Sequence, residues 1–128
     1  MKAAAYLNFN LNAQDAINTY QSIFGAEVLL QYMFEDGMTN NPDLLGKVFH
    51  AELKIGDLNL YLADTGEKPD FTAIKFVIET SDEEEAHHIF NALAAQGQIL
   101  SDFEKMSFGP TIAAVMDKFG IKWNIVIC

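Results

Sequence analysis

The stretch Lys47-Val48-Phe49-His50-Ala51-Glu52-Leu53-Lys54-Ile55-Gly56-Asp57-Leu58-Asn59-Leu60-Tyr61-Leu62-Ala63 reads as two alternating runs broken by Gly56-Asp57. Alternation at a period of two is strand patterning, and a two-residue break containing glycine folds two strands into a tight hairpin. The loop length fixes the register. Ile55 falls opposite Leu58, Leu53 opposite Leu60 and Ala51 opposite Leu62 on one face, while Lys54 meets Asn59 and Glu52 meets Tyr61 on the other. His50 joins that second face, opposite Ala63. One hairpin therefore sends leucines to a core and gathers His50, Glu52 and Tyr61 on the polar side.

Upstream, Ala3 to Asn10 alternates as a strand, and a helix follows with Ala16, Ile17, Tyr20, Ile23 and Phe24 on one apolar stripe. Asn12 is placed to cap it, Asp15 stands in a capping-box-like position and Gly25 stops it. Val28 to Phe34 is another strand. The turn-rich segment Glu35 to Gly46 is the longest irregular stretch and the candidate for a mobile flap.

Downstream the order repeats. Thr72 to Thr80 is a strand, and Ser81-Asp82-Glu83-Glu84 opens a helix with Ala86, Ile89, Phe90, Leu93 and Ala94 inward, ending at Gly97. Strands at Gln98 to Met106, Thr111 to Met116 and Ile121 to Ile127 close the chain, separated by the turns Phe108-Gly109-Pro110 and Asp117-Lys118-Phe119-Gly120. Ala16, Tyr20 and Ile23 recur at one offset as Ala86, Phe90 and Leu93. Leu58, Asn59, Leu60 and Leu62 recur as Trp123, Asn124, Ile125 and Ile127. The chain is thus a repeated βαβββ unit, with module 1 at about 1–66 and module 2 at about 67–128 in a single domain.

The 128 residues are half hydrophobic, enough for a core without staples, and the one cysteine, Cys128, has no internal partner. A net charge of −10 disfavours nucleic acid, whose binding draws on Lys and Arg, and equally an anionic membrane surface. No apolar run is long enough to span a bilayer and Met1 to Ala5 is no signal peptide, so the expected location is the cytoplasm. No phosphate loop, Ser/His/Asp set or CxxC pair is present. A small molecule or another protein remains as partner.

Tyr6-Leu7-Asn8-Phe9-Asn10, Asn12-Ala13 and the helix from Ala16 through Tyr20 to Phe24-Gly25 resemble the opening of the PhnB-like branch of the glyoxalase/bleomycin-resistance, or vicinal oxygen chelate, superfamily. His50 through Asp57 resembles that branch's third strand and hairpin, and Gly109-Pro110 with Asp117 through Trp123 resembles its closing motif. The resemblance covers the whole chain. It implies an α+β fold in which two βαβββ modules form a curved mixed sheet with helices on the convex side, and it implies a homodimer. The branch is often labelled after 3-demethylubiquinone 3-methyltransferase, yet no methyl-donor pocket is recognisable here.

Metal-using members of the superfamily hold a divalent ion with a quartet of His, Glu or Gln residues on the concave face. By resemblance, those positions fall at or next to Ala5, near Asn59 or Tyr61, near Lys75 and on Asn124. Ala and protonated Lys cannot ligate, and Asn is a weak ligand. The expectation is therefore a protein with no metal or other cofactor that encloses a small, largely apolar molecule. His50, Glu52, Tyr61, Tyr6, Lys75 and Asn124 are the candidate pocket residues, and Leu7, Phe9, Val77 and Val126 the apolar lining. The alternative is a metal-dependent isomerase, dioxygenase or transferase with a displaced site around His50 and Glu52. Trp123, opposite in sense to Asn124, is assigned to the core, and His87 and His88 lie off the apolar stripe of the second helix.

Overall fold

A computed structural model describes residues 1–128. The chain divides into two compact units, Met1–Pro69 and Asp70–Cys128. Unit 1 runs β1 (Ala5–Phe9), α1 (Ala13–Phe24), β2 (Glu27–Met33), β3 (Val48–Ile55) and β4 (Leu58–Asp64). Unit 2 runs β5 (Lys75–Thr80), α2 (Glu83–Ala94), β6 (Gln98–Lys105), β7 (Thr111–Met116) and β8 (Lys122–Ile127). Each unit folds into its own four-stranded mixed sheet, with order β1-β4-β3-β2 in the first and β5-β8-β7-β6 in the second. The first and last strands of each unit pair in parallel and the other neighbours antiparallel. This is the repeated α+β βαβββ architecture.

The β3–β4 hairpin has the register its loop dictates, with Ile55 on Leu58, Leu53 on Leu60, Ala51 on Leu62 and Glu52 on Tyr61. Leu53, Leu60, Leu62 and Ala51 are fully buried, together with Ala16, Ile17 and Tyr20 of α1, so the leucine face is the one the helix covers. Leu7 and Phe9 belong to this core and not to a pocket lining. The parallel pairing of β1 with β4 sets Leu7 beside Leu62, and both Leu7 and Phe9 are 1% exposed. Tyr6, one residue away, projects from the opposite face beside Tyr61.

Helix α1 is not capped as its own sequence suggests. Asn12 occupies the N-cap position without a side-chain capping bond, and the first helical N–H, that of Ala13, donates instead to Oδ1 of Asp64 at 2.9 Å. The other Asp64 oxygen accepts from the Val48 N–H at 3.0 Å, which explains how a carboxylate can be 3% exposed. Gly25 ends the helix in a left-handed conformation, φ 65°. Helix α2 is capped one residue later than Ser81: the Asp82 side chain accepts from the Glu85 N–H at 3.1 Å. Gly97 follows α2 where a side chain would sit 2.1 Å from the Met116 carbonyl oxygen, so only glycine fits against the end of β7.

The segment 35–46 is closed at its base by Phe34 N–H to the Lys47 carbonyl at 2.8 Å and Gly46 N–H to the Phe34 carbonyl at 3.0 Å. A 3-10 turn, Pro42–Leu44, sits within it, capped by the Asn41 side chain. In unit 2, Trp123 is fully buried on the α2 side of its sheet. Its indole N–H donates to Asp117 at 2.9 Å. The same carboxylate accepts from the Phe119 and Ile121 N–H groups, closing the turn between β7 and β8.

Candidate functional site

The face of the first sheet opposite α1 carries the polar cluster. Three strands supply it: Tyr6 from β1, Tyr61 from β4, and His50 with Glu52 from β3. Strand pairing places Tyr6 beside Tyr61 and Tyr61 beside Glu52. His50 and Glu52, two apart on one strand, point the same way. Each residue is therefore held by a sheet position whose neighbour on the strand is buried beneath α1.

The Tyr6 hydroxyl and His50 Nδ1 are 2.8 Å apart, and His50 Nε2 lies 2.9 Å from Glu52 Oε2. An ionised carboxylate only accepts hydrogen bonds, so Nε2 carries the proton and donates to Glu52; in the neutral ring Nδ1 is then an acceptor, filled by the Tyr6 O–H. The phenol is suited to that donor role. Burial, with the negative charge of Glu52 adding to it, raises the Tyr6 pKa above the ordinary value of 10.0.

Aromatic edges complete the patch. The Tyr61 ring meets Tyr6 edge-on at 5.9 Å between centroids and His50 at 5.2 Å. Such geometry fixes ring orientation as well as burying area. Tyr32, paired with His50 across β2 and β3, is 59% exposed. Lys2, just before β1, reaches over the Tyr61 ring at 5.8 Å and lies 3.8 Å from Glu52 Oε1.

The structure thus brings together Tyr6, His50, Glu52 and Tyr61. Lys75 and Asn124 lie in unit 2, on the face of its sheet opposite Phe76 and Trp123, together with Val77 and Val126. Sequence reading missed Lys2 and Tyr32. Nothing in the local pattern marks Lys2, and Tyr32 is brought to His50 through register shifts in the β2–β3 ladder that alternation does not reveal.

A family profile described as 3-demethylubiquinone-9 3-methyltransferase matches residues 1–126. The chain belongs to that family. This PhnB-like chain is 28% identical to Protein YjdN of Escherichia coli (strain K12), an alignment covering 98% of this chain and 94% of that one. It is similar, at 26% identity and a TM-score of 0.82, to a Bacillus cereus PhnB protein described as a putative 3-demethylubiquinone-9 3-methyltransferase, with 98% of each chain covered. Protein PA1353 from Pseudomonas aeruginosa shares the fold at a TM-score of 0.86 and 23% identity over 98% of this chain and 96% of that one. The fosfomycin resistance protein FosX from Listeria monocytogenes shares it at 0.69 and 11% identity, over 99% and 90%. These relationships place the PhnB-like chain in the vicinal oxygen chelate superfamily.

The metal that gives that superfamily its name does not fit the residues of this PhnB-like chain. No group of three or more His, Cys, Asp or Glu side chains is arranged to hold an ion. Ala5 shares the buried face with Leu60, so the β1 residues on the cluster face are Tyr6 and Asn8, and the Tyr6 hydroxyl is engaged with His50. By resemblance two of the quartet positions fall near Lys75 and on Asn124, which offer an ammonium and an amide where the superfamily uses His, Glu or Gln.

Proposed function

We propose that this chain is a small-molecule-binding protein of the PhnB-like family that works in the cytoplasm as a homodimer and without a resident metal. The Tyr6–His50–Glu52 chain carries the reading. A binding site for an organic molecule needs a few fixed polar groups set among aromatic and apolar surface. Here the polar groups orient one another through hydrogen bonds of 2.8 and 2.9 Å while Tyr61 and Tyr32 offer ring surface beside them. The ligand best matched to this surface is a small, largely apolar body with one polar handle directed at Tyr6, His50 or Glu52.

A thermal-shift screen of small amphiphilic and apolar compounds tests the reading, because a ligand that binds only the folded state raises its melting temperature by mass action. Hits whose shifts vanish in Tyr6→Phe or His50→Gln support it. Absence of any hit defeats it, and stoichiometric zinc, nickel, iron or manganese in protein purified without tag or chelator defeats it in favour of a metal-dependent enzyme.

A further inference from the structure

Glu52 is unevenly satisfied. Its side chain is only 18% exposed, and Oε2 takes the full hydrogen bond from His50 at 2.9 Å. Oε1 has one partner, the Lys2 ammonium at 3.8 Å, beyond hydrogen-bond reach. That same ammonium stands 5.8 Å from the centroid of the Tyr61 ring, within the range in which a cation is attracted to an aromatic face. A carboxylate oxygen and a ring face thus converge on one positive charge.

Lys2 is a loose occupant of that position. Its side chain is 52% exposed, and it hangs from a segment held over the sheet by Asn59, whose amide donates to the Ala3 carbonyl at 3.2 Å. Ordering a lysine stem costs rotamer freedom, and an exposed ion pair returns little. An ammonium on a short apolar stem loses less freedom and can close to direct hydrogen-bond distance from Oε1. We infer that Glu52 Oε1 and the Tyr61 ring form a subsite for an organic ammonium, with Lys2 as its tethered occupant in the ligand-free protein. The inference rests on the small-molecule-binding reading and gives the polar handle its chemistry: a protonated amine on an apolar body, with anions turned away by Glu52.

Titration calorimetry with 3-phenylpropylammonium and its neutral isostere 3-phenylpropanol tests this. The amine is expected to bind roughly tenfold more tightly, equivalent to ~1.4 kcal/mol. Glu52→Gln, which keeps the side-chain size, is expected to abolish the preference. Lys2→Met is expected to tighten the amine severalfold and leave the alcohol unchanged, whereas Lys68→Met, the same charge change at an exposed position, does neither. Equal binding of the two probes, or a preference that survives Glu52→Gln, overturns the subsite. Equal effects of Lys2→Met and Lys68→Met overturn the role of Lys2. Failure of both probes while the thermal-shift screen yields hits overturns the ammonium subsite and leaves the binding reading standing; a screen with no hits removes that reading itself.

Discussion

The Asp64 carboxylate at the end of β4 accepts the hydrogen bond of the first helical N–H, that of Ala13, at 2.9 Å. A strand from the far side of the hairpin thus does what a local N-cap side chain normally does, and with its second oxygen it holds the start of β3 at Val48. The parallel pairing of β1 with β4 is tied to the helix it feeds. Without Asp64, two buried N–H groups lose their acceptor.

Asp64→Asn is accordingly expected to cost about 1–3 kcal/mol, since an amide has one oxygen for two donors and sets an N–H₂ against the other. Asn12→Ala, at the formal N-cap position, is expected to cost less than the ~1 kcal/mol typical of that substitution because Asn12 makes no side-chain cap bond. Urea denaturation of both variants checks the order. Greater damage from Asn12→Ala would show that the helix start is held locally.

How much of this was legible in the sequence depends on the range of each interaction. The β3–β4 register follows from a two-residue loop, so Glu52 opposite Tyr61 could be read directly. Trp123 in the core follows from the same alternation. Along Ala3–Asn10 alternation separates Tyr6 and Asn8 from Leu7 and Phe9 but does not say which set meets the helix. That is decided by the parallel pairing with β4, a contact distant in sequence. Asp64 at the helix start and Lys2 over Tyr61 are equally non-local. The cluster's residues were legible as a face; its hydrogen-bonded order was not.

The two faces of the hairpin carry different energetic weight. Leu60→Ala, at a fully buried position, is expected to cost about 2–5 kcal/mol through the cavity it leaves. His50→Ala and Tyr61→Ala, half-buried on the opposite face, are each expected to stay near ~1 kcal/mol, the scale of one aromatic or hydrogen-bonded contact. Chemical denaturation compares the three. Equal losses would mean that the cluster face is core and the site assignment is wrong.

Tyr6 is expected to add to the loss of stability at alkaline pH. Because the folded state raises its pKa above 10.0, the native chain keeps a proton that the unfolded chain releases. The contribution is fully present below about pH 10 and is lost as pH rises through the folded value. Tyr6→Phe is expected to show a shallower fall in melting temperature above pH 10 than the parent. Absorbance titration of the phenolates, parent against Tyr6→Phe, is expected to assign the missing step to the alkaline side of the ordinary tyrosine range. A step at or below that range would remove the argument that Tyr6 is a committed donor.

Apolar residues of both units remain at the surface of the chain. Tyr32, Leu29 and Phe49 in unit 1 are 59%, 44% and 43% exposed, and Val77, Ile99 and Phe108 in unit 2 are 51%, 53% and 76% exposed. Such surface on one small chain is costly in water and commonly marks a contact between copies. β6 adds to it, being an edge strand with seven of its eight residues exposed. The proposed homodimer gives these groups a partner. Light scattering at micromolar concentration is expected to return roughly twice the chain mass of 14.3 kDa. Ile99→Lys with Leu100→Glu separates the edge from the sheet faces as the contact: loss of the dimer places it at β6, and retention places it elsewhere. A parent protein that scatters at the single-chain mass refutes the dimer, and with it any site that needs a second copy.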